Sequence, residues 1–121
     1  MAATVATLQE LARGEIYTTF EKRGRQLMDG IQDILKNAGI PARVQGFPGI
    51  FHVAFGICDP IKSFRDTFAA DRARYVRFTT ALLERGVRAL ERGAWFLSSQ
   101  HDETIPDQTL ATVELAARVI R

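Results

Sequence analysis

A chain of 121 residues with 46% hydrophobic and 25% charged side chains has the composition of one folded domain, not of a disordered segment, and buries enough surface at that size to need no disulfide or metal staple. Its one cysteine, Cys58, excludes an internal disulfide and fits a reducing compartment. No apolar run approaches the roughly 18 residues of a bilayer span and no signal peptide opens the chain, while sixteen Lys and Arg against fourteen Asp and Glu leave only +2, so the expectation is a cytoplasmic protein with neither a membrane nor nucleic acid as partner.

The chain opens on an alanine-rich stretch in which Leu8 and Leu11 sit three apart before Gly14, which predicts a short helix interrupted at the glycine. Tyr17, Phe20, Gly24, Leu27, Ile31, Ile34 and Ala38 then alternate spacings of three and four, one stripe of a long helix. Glu21 and Arg25 lie at the favourable i,i+4 spacing on its polar face. Gly24 falls on the apolar stripe, where a missing side chain admits a neighbouring backbone. Gly39 stops the helix and Pro41 follows.

Beyond Pro41 the period shortens. Ala42 and Val44, then Ile50, Phe51, Val53 and Phe55 across the QGFPG sequence, predict two short strands in an antiparallel hairpin. Residues 56–70, with Pro60, Phe64 and Phe68, read as a loop containing a helical turn. Asp71 is placed to cap a helix through Tyr75, Phe78 and Leu82 that ends at Gly86. Residues 87–89 and 94–98 read as short strands around a turn at Arg92 and Gly93. Leu110, Val113, Ala117 and Ile120 share one face of a last helix. Thr104 and Asp107 stand there at the spacing of a capping box, with Pro106 in the first turn. The order predicts an α+β fold, helices on a small, mainly antiparallel sheet, in a single domain over residues 1–121.

The GFPG of residues 46–49 lacks the glycines of a dinucleotide fingerprint and the Lys of a phosphate loop, and reads as a turn. His52, His101 and Cys58 share no zinc-ligand spacing. His52, alternating with Phe51 and Val53, belongs to the polar face of a strand. His101, Asp102 and Glu103 precede a helix, where acids complement the N-terminal dipole. Ser98 and Ser99 lie outside a nucleophile-elbow sequence. No catalytic residue and no metal ligand is identified. What remains is a concentration of arginine between residues 65 and 92, since guanidinium groups grip carboxylates and phosphates bidentately. Most of these arginines fall on a helix and face water, whereas Arg88 and Arg92 flank the predicted turn, from which a side chain can be aimed at a pocket.

Four blocks in succession, MAATVATLQEL, LMDGIQDILKNAGIPARVQGFPGIFHVAF, AADRARYVRFTTALLERGV and WFLSSQHDETIPDQTLATVELA, resemble the C-terminal domain of class III pyridoxal-phosphate aminotransferases. Within that class they are most similar to the glutamate-1-semialdehyde aminomutase branch. The resemblance covers nearly the whole chain. It implies the small domain of a fold-type-I enzyme whose large domain would carry pyridoxal 5'-phosphate, the Schiff-base lysine and the acid paired with the pyridine nitrogen. Lys22, Lys36 and Lys62 are the only lysines here, and none falls in a matching motif. The chain is therefore expected to hold no cofactor, to be inactive alone, and to be a detached piece whose Met1 aligns inside the family's sequence.

Aminomutases of the family tend to carry a Phe-Glu-Ala-Gly-Phe-like stretch where this chain reads Arg92, Gly93, Ala94, Trp95 and Phe96, without the acid. Related amino-acid aminotransferases use an arginine of the small domain to hold a substrate carboxylate. The resemblance matches Arg92 to it, with Arg88 second. The implied function is to cover the cofactor cleft of a dimeric enzyme and position an amino or oxo acid. The alternative is a free-standing, non-catalytic interaction or oligomerisation module. It would self-associate through surface that a large domain would cover, or pair with a separate large-domain chain.

Overall fold

Gly14 separates two helices, α1 (Ala2–Arg13) and α2 (Glu15–Asn37), in a computed structural model that describes residues Met1–Arg121. The chain continues through β1 (Ala42–Phe47), β2 (Ile50–Phe55), a 3₁₀ turn (Phe64–Ala69), α3 (Arg72–Leu83), β3 (Ala94–Phe96) and α4 (Thr104–Val119). The sheet is antiparallel throughout in the order β1-β2-β3, so the α+β class and the hairpin expected from the sequence both form. No helix is long and apolar enough to cross a membrane.

Alternation along β2 sorts the sheet into two faces. Phe51, Val53 and Phe55 are buried toward the helices, where they meet Leu27, Ile31 and Leu35 of α2, Tyr75, Phe78 and Leu82 of α3, and Val113 and Ala117 of α4. Removing these side chains from water, at roughly 25 cal/mol per Å² of apolar area, drives the assembly of the layers. The α2 stripe holds at Gly24, Leu27 and Ile31, but Leu35 is fully buried in place of half-buried Ile34, and Tyr17 is 56% exposed. A strict alternation of three and four has a period of 3.5, which drifts around a 3.6-residue helix. At Gly24 the close approach is real, because a Cβ there would lie 2.0 Å from the Pro48 carbonyl oxygen of the hairpin turn.

The free edge of β1 is closed by one side chain. Gln32 on α2 accepts the Val44 N–H at its Oε1 (2.9 Å) and donates from Nε2 to the Ala42 carbonyl (3.0 Å), taking up groups that would otherwise template another strand.

Three local expectations give way. Residues 87–89 form no strand: the Val87 N–H turns back to the Leu82 carbonyl at the end of α3. On β2, Ile50 to His52 pair with β3, and the next amide, Val53 N–H, goes to the Gly93 carbonyl. β3 ends at Phe96: the Leu97 N–H still reaches the Gly49 carbonyl in the same register, but the Ser98 N–H turns away to His101 Nδ1. The Thr104–Asp107 capping box does not form. Thr104 is already helical, its N–H and hydroxyl both donate to Asp102, and Asp107 receives Gln26 instead. Asp71 does cap α3, accepting the Arg74 N–H at 3.0 Å.

Candidate functional site

The second face of the sheet is open at its hairpin end and covered farther along by the loop of residues 56–63, where the Gln45 side chain bonds the Ile61 backbone. Phe47, Ile50 and Phe96 stand side by side across the three strands and are 83%, 58% and 56% exposed. His52 and Ala54 continue this face along β2. Beside them a cleft of about 540 Å³ opens between β2, the 3₁₀ turn, the start of α3 and the turn before β3.

That last turn carries Arg92. The Gly93 N–H closes it onto the Leu90 carbonyl at 3.0 Å, and Gly93 adopts φ +97°. No Cβ would fit at Gly93, being 2.5 Å from His52 Nε2 and 2.7 Å from the Val53 carbonyl oxygen. His52 Nε2 lies 3.1 Å from the Arg92 carbonyl. A carbonyl only accepts, so Nε2 carries the proton and donates. Arg92 is thus presented at the cleft with His52 beneath its backbone.

The cleft has an apolar floor at Ala54, Phe55 and Tyr75 and a rim of opposed charges, Arg72 and Arg92 against Asp71 and Glu91. Asp71 is engaged as the α3 cap. Neither Arg92 nor Arg72 takes part in any of the ion pairs, which join Arg13–Glu10, Arg25–Glu21, Arg85–Glu84 and Arg118–Glu114. A guanidinium free of a carboxylate partner beside apolar surface is suited to gripping a small acid by two parallel N–H···O bonds. The Tyr75 hydroxyl is held inside the core: burial pushes its phenol up to about 12, against the smaller opposing effect of the Trp95 indole N–H that donates to it at 3.0 Å.

Of the two arginines singled out in the sequence, the structure brings Arg92 to the cleft and leaves Arg88 exposed outside it. His52 and Arg72 join the cleft without a signal in their spacing, since His52 and Arg92 are 40 residues apart in the chain. His101 is held locally, its Nδ1 accepting the Ser98 N–H while Arg23 donates to its carbonyl. Asp102 is held below its ordinary carboxylate value, first by the Thr104 hydroxyl and then by the Thr104 N–H. These residues secure the start of α4. Lys22 and Lys36 stand exposed on α2, and Lys62 lines a shallow depression with Cys58, Asp59 and Asp66. No three His, Cys, Asp or Glu side chains are grouped to hold a metal ion.

No protein-family model matches the chain. It is 31% identical over 120 residues to a glutamate-1-semialdehyde 2,1-aminomutase from Desulfatibacillum aliphaticivorans, covering 98% of this chain and 28% of that protein. To the glutamate-1-semialdehyde 2,1-aminomutase of Methanopyrus kandleri it is 34% identical over 116 residues, covering 94% and 27%. An omega-transaminase from Sphaerobacter thermophilus has the same fold, with a TM-score of 0.72 at 22% identity over 87% of this chain and 24% of that one. A transaminase with PLP bound gives a TM-score of 0.73 at 17% identity over 88% and 24%. The chain therefore spans about a quarter of the length of the relatives it matches.

Proposed function

We propose that the chain serves as the small, C-terminal domain of a class III pyridoxal-phosphate aminotransferase, positioning an amino or oxo acid over the cofactor cleft; its similarity to glutamate-1-semialdehyde aminomutases and the fold it shares with transaminases support this reading. The observation that carries this reading is Arg92, a guanidinium without an acidic partner at the edge of a cleft on the sheet's open face. The apolar row of Phe47, Ile50 and Phe96 lies on that same face. A large domain seated on the row would bring its cofactor toward Arg92. Arg92 then grips the carboxylate of the acid, Arg72 adds positive potential at the rim, and Ala54 and Tyr75 receive its apolar part.

Pyridoxal phosphate supplies the electron sink of transamination, and the residues of this chain do not suit it. The cofactor requires a lysine that projects into an enclosed pocket beside phosphate-binding donors. Lys22 and Lys36 are exposed on a helix, and Lys62 stands beside Asp59 and Asp66, whose carboxylates repel a phosphate. The amine and the phosphate cradle belong to the large domain in this reading, and the intact enzyme is a cytoplasmic dimer.

A chimaera in which this chain replaces the C-terminal quarter of the Methanopyrus kandleri aminomutase tests the role of Arg92. The chimaera should bind pyridoxal phosphate and accept amino groups, and Arg92→Gln should raise KM for the amino acid at least about tenfold with kcat much less affected, as expected for a lost bidentate grip. A folded, cofactor-loaded chimaera whose KM ignores Arg92→Gln contradicts the assignment.

A second reading is supported by the same open face together with α1, none of whose residues is buried. When no large domain covers these surfaces, they favour association of the free chain with itself.

A further inference from the structure

We propose that His52 is the positioning residue for Arg92: its imidazole fixes the backbone from which the guanidinium reaches the carboxylate. The inference rests on Arg92 being the carboxylate anchor and adds the residue that makes it one.

Arg92 sits in an exposed turn, where a long side chain on a mobile backbone would lose much of its grip to entropy. Two backbone bonds secure the turn on its β3 side, Gly93 N–H to the Leu90 carbonyl and Val53 N–H to the Gly93 carbonyl. Arg92 itself is held by His52, through the Nε2–H···O bond to its carbonyl at 3.1 Å. His52 is well placed to do this. It lies on the central strand, paired with Gln45 of β1 on one side and Ala94 of β3 on the other, so its Cα is braced from both sides. The ring also packs against Gly93 so closely that a Cβ there would meet Nε2 at 2.5 Å. Gly93 with its positive φ, the imidazole and the Arg92 carbonyl therefore form one unit, and each requires the others in place.

The hydrogen bond and the packing are separable by substitution. His52→Phe keeps a ring against Gly93 and removes the donor. His52→Gln restores a donor on a side chain of similar reach, and His52→Ala removes both ring and donor on a half-exposed strand position that tolerates the loss. The 121-residue chain, labelled with ¹⁵N, is titrated with 3-phenylpropionate, a carboxylate carrying an apolar group, and backbone relaxation is measured at residues 91–93. His52→Phe and His52→Ala should weaken the probe by about three- to tenfold, the range of one lost hydrogen bond, and raise fast motion at residues 91–93, whereas His52→Gln should stay close to the parent in both.

Equal affinity and equal rigidity in the Phe and Ala variants overturn the role of His52 and leave Arg92 standing. Undiminished binding to Arg92→Gln overturns the anchor itself. If the parent chain shows no shift with the probe, relaxation decides alone: a turn as rigid in His52→Phe as in the parent overturns the inference, and a loosened turn that His52→Gln restores supports it.

Discussion

Tyr75 shows how one buried hydroxyl ties the stability of the chain to pH. Its phenol is pushed up to about 12 by burial, whereas in the unfolded chain it releases its proton near 10. Between those values the folded chain holds the extra proton, so stability is fully supported below about pH 10 and falls as pH rises toward 12. Urea unfolding across that window should show a steeper alkaline loss for the parent than for Tyr75→Phe. Gly24→Ala is a second test at this scale. Its Cβ would meet the Pro48 backbone at 2.0 Å, and pushing the hairpin turn off α2 should cost about 2–3 kcal/mol by chemical denaturation. That close approach was legible in the sequence because Gly24 interrupts an apolar stripe. The Tyr75–Trp95 and His52–Arg92 contacts were not, because they join residues 20 and 40 positions apart whose meeting depends on how the strands register.

Elements were legible where periodicity is long. The 23 residues of α2 carry six turns of evidence, and the hairpin and the Asp71 cap follow from alternation and from a side chain suited to a free helix N–H. Short segments were ambiguous, because residues 87–89 have a strand-like composition, yet Ala94–Phe96 pair with β2 and the Val87 N–H returns to the Leu82 carbonyl. The start of α4 falls at Thr104 as expected, but how it is secured was not legible. Thr104 has the side chain of a cap, yet Asp102 takes both its N–H and its hydroxyl. Asp102 should therefore titrate below 3.8 when followed by its carboxyl ¹³C shift, and the support it lends to α4 is present above the ordinary carboxylate value and lost only as pH falls through that lowered pKa. A sterner test of element packing is Gln32→Ala. It leaves the Ala42 carbonyl and the Val44 N–H of β1 without their partner, which should lower unfolding stability by about 1–3 kcal/mol and speed amide exchange at Val44.

For the molecule as a whole, the sheet has one face committed to the helices and a second face bare at its hairpin end, where Phe47, Ile50 and Phe96 are exposed. Composition and patterning disclosed the α+β class, but the apolar row of Phe47, Ile50 and Phe96 is assembled from three strands and exists only in the folded sheet. The isolated chain should self-associate through this face with rising concentration in sedimentation velocity, and Phe47→Asp combined with Ile50→Asp should hold it monomeric. Loss of self-association only on altering some other surface would remove the row from the interface.

In the function we propose, labour is divided: this chain positions the acid and the reactive amine comes from elsewhere in the enzyme. This division is tested most directly by incubating the 121-residue chain with pyridoxal phosphate, reducing with borohydride and mapping the modified peptides. Only weak labelling scattered over Lys22, Lys36, Lys62 and the amino terminus is expected. Stoichiometric labelling at a single lysine, accompanied by turnover of an amino donor, would contradict it.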